Sequence, residues 1–98
     1  MNNIYGGARF MVLHGRIVKG YRTIYQKDIR DTCGPSSDFR DKLENCLIAL
    51  CKDADIPTPI WLKNNSAELG MFNKTNFYAE QFPEAIKFDR LEIKIAEK

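Results

Sequence analysis

Histidine and tryptophan occur once each in this 98-residue chain, at His14 and Trp61, and cysteine three times, at Cys33, Cys46 and Cys51. No two cysteines stand as Cys-x-x-Cys, so the ligand set of a tetrahedral Cys/His zinc site is missing and no metal is expected. An odd number of cysteines also leaves one thiol over from any closed set of intrachain disulfides. Cys46 and Cys51 lie about 140° apart around a helix, so they do not face one common partner. The expectation is three reduced thiols acting as small, mostly buried hydrophobes. Apolar runs are short, and none approaches the roughly 20 residues of a membrane-spanning helix. Residues Met1 to Gly7 have neither the basic region nor the apolar stretch of a signal peptide. Gly6-Gly7 does not make a phosphate-binding glycine pattern. These absences point to a cytoplasmic chain with no cofactor, no metal and no membrane contact. They also leave no catalytic constellation, so an enzyme is not expected.

What is present suits one domain over residues 1–98, with residues 1–8 flexible or irregular. Apolar residues make up 44% of the chain and charged residues 29%, enough for one core and an ordinary surface. The net charge of +2 is unevenly spread. Residues 1–30 hold six bases against Asp28 alone, whereas residues 31–60 hold three bases against six acids. A basic segment beside an acidic one is the footprint of a polyanion site, or of two parts of one molecule attracting each other.

Residues 9–30 read as a β-hairpin. Met11, Leu13 and Ile17 take one face of its first strand, and Phe10, Val12 and Val18 the other. Apolar residues on both faces suggest a central strand, or one whose second face meets a partner. Gly15 interrupts the alternation and is expected to mark a bulge. Lys19-Gly20 supplies the turn, and the polar return strand suits a sheet edge. After a loop over residues 31–37, Ser37 or Asp38 caps a helix. Its stripe of Phe39, Leu43, Cys46, Leu47, Leu50 and Ala54 is the strongest periodic signal in the chain. Ile48 projects away from that stripe, as a residue marking a contact would. Pro57 ends the helix. Asn65 as N-cap with Glu68 three residues on predicts a short second helix to about Phe72. Leu91, Ile93 and Ile95 alternate with Arg90, Glu92 and Lys94 in a clear last strand. The order β-β-α-(α)-β gives an α+β domain: a small antiparallel sheet of about three strands, with one main helix and a short helix packed on one face.

Two groups of residues are candidate binding sites. Arg16, Lys19, Arg22 and Lys27, interleaved with Tyr21 and Tyr25, form a basic hairpin able to bind nucleic acid, although cations on an edge strand also protect against aggregation. Trp61, Lys63, Phe72, Lys74 and Phe77 are a candidate cleft with a cationic rim, or else aromatics closing the core. A Cys33/His14 nucleophile pair lacks an orienting third group. Asp53 and Asp55 sit at a helix end, where acids are commonly solvated.

The series Cys46-Leu47-Ile48-Ala49-Leu50-Cys51, Ile56-Pro57, Pro59, Trp61-Leu62-Lys63, Asn65, Phe72, Lys74-Thr75, Phe77, Gln81-Phe82 and Phe88-Asp89-Arg90-Leu91-Glu92-Ile93 resembles a group of small uncharacterised proteins of Gram-positive bacteria, over about residues 39–95. That resemblance implies a cytoplasmic bacterial origin and brings no assigned activity. The functional expectation is a non-enzymatic interaction or accessory protein with a protein partner or a second copy of itself. The alternative is a nucleic-acid-binding module built on the hairpin.

Overall fold

The computed structural model describes residues 11–30 and 39–97. The expectations for residues 1–10, the 31–38 loop with Cys33, and the cap at Ser37 or Asp38 lie outside the described residues. Strand β1 (Met11–Lys19) and strand β2 (Arg22–Arg30) pair antiparallel. A two-residue turn joins them, with Gly20 at φ +63°, a conformation that glycine enters without a Cβ clash. Helix α1 (Phe39–Ala54) and helix α2 (Lys63–Phe72) follow, then strand β3 (Lys74–Tyr78), one 3₁₀ turn (Ala79–Gln81) and strand β4 (Arg90–Glu97). All four strands are antiparallel, in the order β2-β1-β4-β3. The architecture is α+β, with one strand more than expected.

β1 is central, as its two apolar faces predict. Leu13 and Ile17 join Leu91, Ile93 and Phe77 in the core, beneath Leu43, Cys46, Leu47, Leu50 and Cys51 of α1 and Leu69 of α2. Val12 and Val18, on the other face, are also buried within the single chain. Gly15 does not mark the bulge, which falls between Ile17 and Val18. Gly15 instead makes a hole for α1: a Cβ there would lie 2.1 Å from Leu50 Cδ2. The missing side chain lets the helix sit down on the sheet.

Local chemistry sets the helix ends. Asp55 takes φ 59° after α1. The Asp55 N–H donates to the Lys52 carbonyl (3.2 Å) and the Ile56 N–H to the Cys51 carbonyl (3.0 Å), a Schellman pair. α2 begins two residues before the predicted cap, so Asn65 lies inside its first turn rather than at its N-cap. The Leu62 N–H donates to Asn65 Oδ1 at 2.9 Å, and Asn65 Nδ2 donates to Thr75 Oγ1 (2.8 Å) and the Asn76 carbonyl (3.1 Å). Gln81 Nε2 fills the second lone pair of Asn65 Oδ1 at 2.9 Å. Asn65 is fully buried, and all four of its hydrogen-bonding positions are used. One side chain thus ties α2, β3, the 3₁₀ turn and the 55–62 connector together.

The helix-free face of the sheet is polar between Val12 and Val18. Strand register sends Arg16, Arg30, Lys74, Arg90 and Lys94 to it, with the acids Asp28 and Glu92. His14, Gln26, Asn76 and Tyr78 lie on the same face.

Candidate interaction groove

α1 crosses the β1–β2 half of the sheet and α2 packs against β3. Between them a groove of about 760 Å³ stays open above β4. Leu43 and Leu47 of α1, Leu69 of α2, and Ile95 of β4 make its apolar floor, and Pro59 and Trp61 close one end. Its lip on α1 is formed by Arg40, Glu44 and Ile48, the last 40% exposed. On α2 the lip is Ser66 and Gly70, one turn apart and both small. A Cβ built on Gly70 meets nothing within 4 Å. The wall on that side is low because the sequence puts no bulk there.

Trp61 holds its place by two contacts. Its ring meets Phe77 with centroids 5.5 Å apart and planes tilted by 57°, and Nε1–H donates to Ser66 Oγ at 2.8 Å. It is half-buried and shares the groove wall with Leu43 and Leu47. The rest of the candidate cleft does not assemble around it. Phe77 is fully buried, while Phe72 is 60% exposed at the end of α2. Lys63 is exposed at the start of α2. Lys74 lies three residues from Phe77 on β3, so the two side chains leave opposite faces of the strand. Ile48, marked by its position opposite the stripe, is on the groove lip. Thr58, Ser66 and Gly70 carried no signal beyond a spacing of small residues on α2.

The basic hairpin is divided by the pleat of the sheet. Arg16 is on the helix-free face and pairs with Glu92 at 2.9 Å. Lys27 is on the helix side, where Nζ meets Asp53 Oδ1 at 2.8 Å. Tyr25 OH donates to the other oxygen, Asp53 Oδ2, at 2.6 Å. Lys19 and Arg22 flank the turn, exposed. Asp53 is therefore a latch between α1 and β2 rather than a freely solvated acid, and Asp55 takes no part in it. The Lys27 and Tyr25 hydrogen bonds hold the Asp53 carboxyl below its ordinary range. Burial, then the Asp53 hydrogen bond and charge, pushes the Tyr25 phenol up to about 12.

The described thiols are placed as small hydrophobes. Cys46 and Cys51 are buried. Burial raises the Cys51 thiol to about 11, partly offset by a hydrogen bond from Thr58, so it is protonated at neutral pH and a poor nucleophile. His14 is on the other side of the sheet, hydrogen-bonded to Asp28. The Cys33/His14 pairing lies outside the described residues. Among the described residues no cluster of three or more His, Cys, Asp or Glu side chains has the arrangement of a metal site, and no helix is long and apolar enough to cross a membrane. Comparison with protein-family models, with curated proteins and with solved structures finds no match to this chain.

Proposed function

We propose that the protein is a small, non-enzymatic cytoplasmic interaction protein that seats an apolar segment of a protein partner in the groove between α1 and α2. The observation that carries this reading is the groove itself, lined by Leu43, Leu47, Leu69 and Ile95 with Ile48 and the Trp61 ring beside them. Grooves between helices take amphipathic segments by their i, i+3, i+4 and i+7 anchors. Tryptophan beside a concave apolar surface is a typical energetic centre of such contacts. Self-association draws less support than the sequence implied, because Val12 and Val18 are already covered within one chain. The hairpin as a nucleic-acid site is not favoured either, since Lys27 is committed to Asp53 and Arg16 to Glu92.

The test is site-specific photo-crosslinking in producing cells, with the crosslinker at Ile48 or Ser66 and a control at Gln26 on β2. The reading expects discrete protein adducts from both groove positions, none from the control, and their loss in an Ile48→Asp variant carrying the crosslinker at Ser66. Equal adducts from all three positions would refute it. Native mass spectrometry showing a retained small molecule would make the groove a ligand pocket instead. An adduct at twice the chain mass, with a dimer by light scattering, would identify the partner as a second copy.

A further inference from the structure

We infer that the helix-free face of the sheet binds single-stranded nucleic acid along its β3–β4 half, a surface separate from the groove. Two observations carry this. The first is charge. Among the described residues, five bases and two acids on that face sum to +3, against +2 for the whole chain. The two acids are already engaged, Glu92 with Arg16 and Asp28 with His14. Among the described residues Lys74, Arg90 and Lys94 have no ion-pair partner. The second is register. Lys74 and Lys94 are direct cross-strand partners, and both are exposed. Like charges placed directly opposite in a sheet repel and lower stability. An anion between the two ammonium groups removes that repulsion, so the fold itself favours one.

The chemistry around the cations selects the kind of polyanion. Tyr78 is 46% exposed and is the register partner of Arg90. Arg90 and Lys94 are four residues apart on β4, about 13 Å at strand rise. Asn76 lies between the two rows, with its side-chain oxygen buried and without a hydrogen-bond partner. A cationic track beside an aromatic ring and an amide suits a strand whose bases are unpaired, with phosphates on the lysines and a base on the tyrosine. A broad sheet face does not enter the major groove of duplex DNA as a helix or a two-stranded ribbon does, and the major groove of duplex RNA is narrower still. Of the four hairpin cations singled out in the sequence, Arg16, Lys19, Arg22 and Lys27, only Arg16 lies on this face, which explains why the sequence pointed to a neighbouring set of residues.

Fluorescence anisotropy with labelled single-stranded RNA and DNA tests the proposal, against the matching duplexes and phosphatidylserine vesicles. Single strands should bind, and log K should fall with log salt at a slope of about −2, for three phosphate contacts at about 0.7 each. The double reversal Lys74→Glu/Lys94→Glu should abolish binding. Tyr78→Ala should weaken it about tenfold, the loss of one stacked base, without changing the salt slope. A Lys19→Ala/Arg22→Ala variant at the hairpin tip and Ile48→Asp in the groove should bind like the parent. All of these positions are exposed, and denaturant midpoints check that each variant folds. Lys94→Gln should raise the midpoint slightly by relieving the lysine pair. Absence of binding at low salt overturns the proposal. So does equal or tighter binding to duplex or vesicles, or binding that survives the double reversal. None of these outcomes bears on the groove reading, which crosslinking at Ile48 decides separately.

Discussion

Replacing Gly15 by alanine adds one methyl group at the closest approach between helix and sheet. The new Cβ would stand 2.1 Å from Leu50 Cδ2, 2.7 Å from Cδ1 and 2.9 Å from Cγ. Leu50 has no exposed surface, so it has no solvent to rotate into. Either its rotamer leaves a staggered well or α1 rises from β1. Overpacking of this kind costs about 1–3 kcal/mol. Relief of glycine's excess unfolded-state entropy offsets about 0.5–1 kcal/mol of that. The net expectation is a loss of about 1–2 kcal/mol, or a fall in Tm of about 4–8 °C per kcal/mol for a domain of this size. The decisive assay is a double-mutant cycle by denaturant unfolding. Leu50→Ala alone leaves a cavity costing about 2–5 kcal/mol. It also deletes the three atoms that the new methyl strikes. The double variant should therefore be more stable than the sum of the two single losses predicts, by about the overpacking penalty. Strict additivity, or a stabilised Gly15→Ala, would refute the claim that Gly15 exists to admit Leu50.

Asn65→Ala should lose about 1–3 kcal/mol in denaturant unfolding, because it removes the acceptor shared by the Gln81 amide and the Leu62 N–H and the donor to Thr75 and the Asn76 carbonyl. Asp55→Gly should stabilise by about 1 kcal/mol, since glycine holds φ 59° without the Cβ penalty; a loss instead would mean that the Asp55 side chain supports the turn. The Tyr25–Asp53–Lys27 latch predicts a plateau in stability against pH. Tyr25 is raised from 10.0 to about 12, so its contribution is complete below pH 10.0 and lost as pH rises through about 12. Asp53 is lowered from 3.8, so its contribution is complete above 3.8 and lost as pH falls through the depressed value. Tyr25→Phe should flatten the alkaline limb and Lys27→Met the acid limb, as read from denaturant midpoints across pH.

The elements that were legible in the sequence are those whose burial is written in apolar residues at one period. The α1 stripe and the Leu91-Ile93-Ile95 alternation needed no partner to be recognised. β3 escaped because one of its two inward residues is Thr75, a polar side chain made acceptable inside by Asn65 and Glu68. Alternation counts Thr75 as outward until those partners are known. Gly15 was recognised as an interruption but given the wrong cause, because a hole in a strand has meaning only once a helix stands above it. The same holds for Gly70, which with Ser66 turns out to be the low wall of the groove. Lys27 looked like a free cation of the hairpin because its partner Asp53 is 26 residues away. Trp61 stands out in the sequence as the single tryptophan, just after two prolines that restrict the chain on which it sits. Its half-exposure depends on the space between two helices, which no local pattern encodes.

The position of β4 has a consequence for the newborn chain. Of the four described strands it is the last to be synthesised and yet an inner one, seated between β1 and β3. A nascent polypeptide released only as far as Asp89 has its hairpin and the sequence of both helices. It lacks the ladder that joins Val18↔Arg90 through Met11↔Glu97 on one side and Lys74↔Lys94 through Tyr78↔Arg90 on the other. Until then β1 and β3 are two bare edges facing a gap one strand wide, open to any extended segment nearby. Folding during translation therefore cannot proceed by steady accretion from the amino end. The emerging chain must wait, with its sheet divided, until about residue 97 clears the ribosome, and closure then comes in a single late insertion. A ribosome stalled within the β4 codons would hold an aggregation-prone intermediate, and a chaperone that shields strand edges would be needed most at that point of synthesis.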